Sequence, residues 1–79
     1  MRIINVVELS NGIIGSIKSF GVFEEEYLTD VVNNAEKYFL DRVKENCAGY
    51  NEDDEEAHLD NGQFDNDKGY EVTIVWSEI

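Results

Sequence analysis

Cysteine, histidine and basic residues are scarce in this chain of 79 residues: one Cys, one His, and six Lys or Arg against eighteen Asp and Glu. One cysteine excludes an internal disulfide framework and a cysteine-rich zinc site. The formal charge of −12 disfavours direct binding to DNA, RNA or anionic lipid, where Lys and Arg must neutralise phosphates. No stretch approaches the roughly 18 consecutive apolar residues that a membrane-spanning helix needs. Residues 1–8 carry one positive charge and an apolar stretch broken by Asn5, too short for a signal-peptide core. A soluble, cytoplasmic protein with a reduced thiol at Cys47 is expected, with no membrane partner.

Apolar residues are not scarce. A hydrophobic fraction of 42%, with four Phe, four Tyr and one Trp, is too rich for a disordered acidic tail. The length suits one domain, here taken as residues 1–79, with a small core.

Residues 2–9 and 13–20 are β-branched, apolar runs separated by Ser10-Asn11-Gly12. Asn-Gly accepts the positive φ angles of a type I′ turn, so the two runs read as a hairpin. Gly15 marks a bulge or a close backbone approach in the second run. From Glu24 to Cys47 the period changes. Leu28, Val31, Val32, Ala35, Phe39 and Val43 recur at spacings of three and four, one stripe of a long helix. Glu26, Asp30, Asn33, Lys37, Asp41 and Lys44 form its mixed-sign opposite face. Glu24, Glu25 and Glu26 then fall in the first turn, favourable to the helix dipole; the alternative is a later start capped by Thr29-Asp30. Gly49 suits a left-handed cap at the far end. Tyr70, Val72, Ile74 and Trp76 alternate with Glu71, Thr73, Val75 and Ser77, the pattern of a half-buried strand.

These elements predict an α+β fold of order β-β-α-β. One long helix lies over one face of a three-stranded, mainly antiparallel sheet, with the acidic stretch 50–69 as the loop before the last strand. A 24-residue helix spans about 36 Å, so the last strand should run antiparallel to the first and parallel to the second. Sheet order 2-1-3 pairs the last strand with the first and allows a right-handed crossover. The far sheet face, holding scattered Ile, Val and Thr, is left open or meets a partner. Dimerisation is one way for so small a core to gain burial.

Catalytic patterns are weak. Cys47 and His58 are the one conceivable Cys–His pair, but Cys47 borders the apolar helix stripe, where thiols are usually inert. Ser10, Ser16, Ser19 and Ser77 lack a neighbouring His. Paired carboxylates abound, yet a domain of this size rarely holds the cleft that general acid–base work needs. No enzyme activity and no cofactor are expected. Asp65-Asn66-Asp67-Lys68-Gly69 resembles the opening of a calcium loop, but the EF-hand spacing fails: Tyr70 occupies the required Gly position and Trp76 the position of the closing Glu. As a turn into a strand, the same residues need no metal.

Eight acids and no Lys or Arg lie between residues 52 and 67. One reading is that they only keep the protein soluble. The functional reading is that Glu52, Asp53, Asp54, Glu55, Glu56, Asp60, Asp65 and Asp67 imitate a phosphate backbone and fill the basic groove of a nucleic-acid-binding protein. Phosphates recur about every 3.4 Å along one strand, a spacing that carboxylates on a helical turn or extended loop can match. Tyr50 and Phe64, with Tyr70, flank the stretch as aromatic anchors. The expected role is therefore an acidic protein-interaction domain, in its sharper form an inhibitor of a basic partner. Small acidic inhibitors made by phages and mobile elements share this size and charge, a compositional likeness that carries no motif. The alternative is a structural or regulatory subunit that pairs with itself or another chain through its open sheet face.

Overall fold

The computed structural model describes residues 2–24, 26 and 28–78. Its elements are strands β1 (Arg2–Ser10) and β2 (Ile13–Phe23), helix α1 (Leu28–Asn46), a 3-10 turn (Glu52–Asp54), helix α2 (Glu55–Asn61), and strands β3 (Gln63–Asp65) and β4 (Tyr70–Glu78). The fold is α+β, and the sheet is antiparallel throughout, in the order β2-β1-β4-β3. β4 pairs with β1 as the sequence predicts. The expected three strands and one helix become four and two, because the stretch 50–69 is built of a 3-10 turn, a helix and a short strand. β3 has three residues, too few for an alternating pattern to stand out, and forms by adding to the free edge of β4.

The hairpin forms as the sequence predicts. Asn11 and Gly12 take φ of 53° and 80° and join the paired residues Ser10 and Ile13. Gly15 is the skipped residue where the register shifts between the pairs Glu8–Ser16 and Leu9–Ile14, which makes it a bulge. A second shift sets Phe20 and Gly21 against Ile4; Gly21 supplies the positive φ, 82°, that such a bulge favours.

Helix α1 is shorter than the periodicity predicts. β2 continues to Phe23, which pairs with Arg2, so Glu24 and Glu26 precede the helix. Glu25 lies outside the described residues. At 1.5 Å per residue, 19 residues span about 28 Å, close to the roughly 30 Å of a nine-residue strand. The helix thus crosses the sheet once, and Gly49 (φ 78°) follows it.

Ala35, Phe39 and Val43 of α1 bury themselves against Ile4 and Val6 of β1 and Val72 of β4. Val31, Val32 and Leu59 pack around this centre. The side chain of Leu28 lies outside the described residues. Trp76 is a correction: it shares the inner face with Val72 and Ile74, as its register position opposite Ile4 requires, but stays 49% exposed.

One polar residue joins the apolar ones under α1. Glu8 follows Ile4 and Val6 on the inner face of β1 and is only 9% exposed. Its carboxylate accepts from Tyr38 Oη at 3.1 Å and Arg42 Nε at 3.0 Å, both on α1, and from Tyr70 Oη at 2.9 Å on β4. Arg42 also reaches Glu45, one turn on. Burial by itself would raise the pKa of Glu8; the bonds from Tyr70, Tyr38 and Arg42 outweigh it and hold the carboxyl below its ordinary value. Burial and the Glu8 carboxylate push the Tyr70 hydroxyl up to about 12.

The turn before β4 docks on the hairpin tip. Asn11 N–H donates to the carbonyl of Gly69 at 2.6 Å. Gly69 has φ 92°, and a Cβ there would collide with Asn11 Oδ1.

Two outcomes follow. Because folding lowers the Glu8 pKa, its contribution is complete above the unfolded value of about 4.3 and drains as pH falls through the lower folded value. Glu8→Gln should cost about 2–3 kcal/mol at pH 7. Urea unfolding of both proteins should show that difference shrinking below pH 4; a difference constant with pH would contradict the assignment. Gly69→Ala should lower stability by about 1–2 kcal/mol, chiefly from left-handed strain, since the Asn11 side chain can turn aside from the new Cβ, and thermal melting reads this directly.

Candidate functional site

The acidic segment starts on a cap. Asn51 is extended (φ −124°), and its Oδ1 accepts from Asp53 N–H at 3.0 Å. Asp54 N–H donates to the Asn51 carbonyl at 3.0 Å. Helix α2 follows without a break and ends at Gly62 (φ 63°), whose N–H donates to the His58 carbonyl at 2.9 Å. The Gly62 carbonyl then accepts from Ile74 N–H at 2.8 Å, which ties the end of α2 to β4. Within the stretch 50–69, expected as a loop, a 3-10 turn and a helix therefore form, and Gly62 closes the helix.

Apolar and aromatic contacts seat this segment on the core. Leu59 and Phe64 pack half-buried against it. The His58 ring stacks on Tyr50, with centroids 6.4 Å apart, and meets Phe64 edge-on at 5.6 Å. Tyr50 donates its hydroxyl to the Glu55 carboxylate; burial, and then that carboxylate, push the Tyr50 pKa upward.

The ten candidate residues therefore separate into two groups. Glu52, Asp53, Asp54, Glu56, Asp60, Asp65 and Asp67 are exposed. Tyr50, Glu55 and Phe64 are half-buried and occupied within the fold. What holds the acids in place is thus an aromatic cluster that includes His58. A lone histidine among acids gave no sequence signal for that packing role.

Asp65 and Asp67 lie away from the helical turns, on β3 and the turn into β4. Asp65 Oδ1 accepts from Asp67 N–H at 2.8 Å, and Asn66 Oδ1 accepts from the N–H groups of Lys68 at 2.8 Å and Tyr70 at 3.1 Å. Asn66 Nδ2 donates to the Asn46 carbonyl at 3.3 Å, fastening the turn to the end of α1. These side chains bond their own backbone, as Asx turns do. Among the described residues no group of three His, Cys, Asp or Glu is placed to hold a metal ion.

Two clefts flank the segment. One, of about 220 Å³, lies between α1, α2 and β4, with Trp76 at its edge. The other, of about 230 Å³, lies beside the Asp65–Lys68 turn and takes in Cys47. Cys47 is half-buried, and its thiol donates weakly to the Ala48 carbonyl at 3.8 Å.

The sheet face turned away from α1 is open and carries an apolar strip over β1 and β2, with Glu71 of β4 opposite Leu9 at its border. Val7 lies opposite Ile17, and Leu9 opposite Ile14. Ile17 is 59% and Ile14 58% exposed, and Val75 adds to the same face from β4. No helix among the described residues is long and apolar enough to cross a membrane.

Calcium should leave the melting midpoint unchanged, because Asp65 Oδ1 and Asn66 Oδ1 already accept backbone hydrogen bonds and no group of three His, Cys, Asp or Glu among the described residues is placed to hold an ion; a midpoint that rises with calcium would show a site. No known protein family matches this chain, and neither a curated protein nor a solved structure shows significant similarity to it.

Proposed function

We propose that this chain is a non-enzymatic, acidic interaction domain that binds a basic surface on a partner protein through Glu52, Asp53, Asp54, Glu56 and Asp60. One observation carries the reading: these exposed carboxylates stand on capped, consecutive helical turns anchored to the core through Tyr50, His58 and Leu59. Carboxylates on a flexible tail would attract bases with little geometric selectivity. Carboxylates held on a fixed scaffold present a patterned negative surface, which favours complementary basic clefts and speeds encounter. In its sharper form the domain occupies a groove that otherwise takes nucleic acid, as an inhibitor. Asp65 and Asp67 then extend the negative surface toward β3.

A second reading rests on the open sheet face. Exposed Ile14 and Ile17 beside Val7 and Leu9 make a continuous apolar strip, of the kind that marks interaction surfaces. A structural or regulatory subunit would use it to meet a second copy or another chain.

Affinity capture from a lysate with stepwise salt elution tests the two. The first reading expects a nucleic-acid-binding protein to elute at moderate salt and to be displaced by competing DNA or RNA. Combined Asp53→Lys, Asp54→Lys and Glu56→Lys should weaken that capture roughly 10- to 100-fold with an unchanged circular-dichroism spectrum. Capture that survives the triple variant but is lost with Ile17→Lys would replace the first reading with the second.

A further inference from the structure

The cleft between α1, α2 and β4 has an apolar interior and a charged rim. Val32 and Ala35 line it from α1, Leu59 from α2, and Ile4 and Ile74 from the sheet. Glu36 borders it from α1 and Asp60 from α2. It stays open because two of the positions around it, Ala35 and Gly62, have little or no side chain to fill it. Trp76 borders it with half its surface exposed, although on the same face Val72 is buried and Ile74 half-buried. A large indole left in water is costly at about 25 cal/mol per Å² of apolar surface, and tryptophan is the residue most enriched among binding hot spots.

Resting on the function proposed above, we infer that this cleft is the subsite that takes an arginine side chain of the basic partner. The chemistry selects arginine on three counts. Its aliphatic stem can lie along apolar walls while its head stays at a polar rim. Its planar guanidinium stacks on an indole face and is less strongly hydrated than an ammonium. Glu36 and Asp60 supply carboxylates from two different elements, which suits a fork of five donors better than a point charge. The cleft thus gives the acidic surface a selective element, since the exposed acids of residues 52–56 alone do not distinguish arginine from lysine.

Trp76 is the single tryptophan, so its fluorescence and its indole N–H resonance report on the cleft alone. The probes are two blocked hexapeptides, one rich in arginine and one with lysine in its place, titrated at low salt into the full chain. The arginine peptide is expected to bind about 5-fold more tightly and to shift the indole N–H and the methyl groups of Val32, Leu59 and Ile74. Trp76→Ala should abolish that preference, Trp76→Phe should keep part of it, and Glu36→Gln should reduce it, each with an unchanged circular-dichroism spectrum. Equal binding of the two peptides, or binding that leaves the indole unmoved, overturns the subsite. If the Asp53, Asp54 and Glu56 reversals then still abolish binding, the acidic surface stands without it. Failure of both peptides to bind overturns the subsite and the acidic reading together.

Discussion

The structure depends on a carboxylate that the apolar layer cannot leave unpaired. Glu8 sits on the inner face of β1, two residues beyond Val6 and opposite the buried Val72, at the margin of the core. A buried carboxylate without partners is untenable, so the elements around it must deliver donors. α1 delivers Tyr38 and Arg42 from adjacent positions on one face, and β4 delivers Tyr70. Sliding α1 by one turn, or β4 by one residue, would leave the charge unsatisfied. Apolar contacts of similar size tolerate many registers, whereas three hydrogen bonds to one carboxylate tolerate few. Among the described residues six fully buried apolar side chains hold the layers together, and Glu8 makes their arrangement particular.

With the layers fixed, the charge divides between two sides. The outward faces of β1 and β2 carry Ile3, Asn5, Val7, Leu9, Ile14, Ile17 and Ser19, with no ionised group. Most acids gather on α1, the 3-10 turn, α2 and the β3–β4 turn, while Glu71 of β4 and Asp65 of β3 border the open face beside Leu9. The protein therefore presents one face suited to apolar contact and a separate surface suited to a basic partner. The two need not compete. A second copy on the strip over β1 and β2 would leave the acids of residues 52–60 free.

Much of this was legible in the sequence where a short-range rule governs. Asn11-Gly12 sets a two-residue turn because both residues accept positive φ, and Gly15 lands on the bulge. The spacing of Ala35, Phe39 and Val43 marks the buried stripe, and the alternation from Tyr70 marks the strand beside β1. Glu8 was also readable, in step with Ile4 and Val6, but a carboxylate in an apolar strand invites a polar reading until its donors are known. They arrive from residues 30 to 62 positions away. The segment 50–69 read as an acidic loop because its composition drowned the contributions of Leu59 and Phe64. β3 gives no local signal, for three residues become a strand only when β4 offers an edge.

Local chemistry in the sequence thus determined the turns, the helix stripe, the alternation of the long strands and the excess of negative charge, since each depends on residues within a few positions of one another. Only the tertiary structure decided which acids are exposed, that Glu8 is buried and bonded, and that Glu55 is half-buried and bonded to Tyr50. It alone also set Trp76 beside a cleft made by Ala35 and Gly62. The physical reason is that burial is a property of what stands opposite a residue, and in this chain the opposing group comes from a distant segment brought close by the sheet.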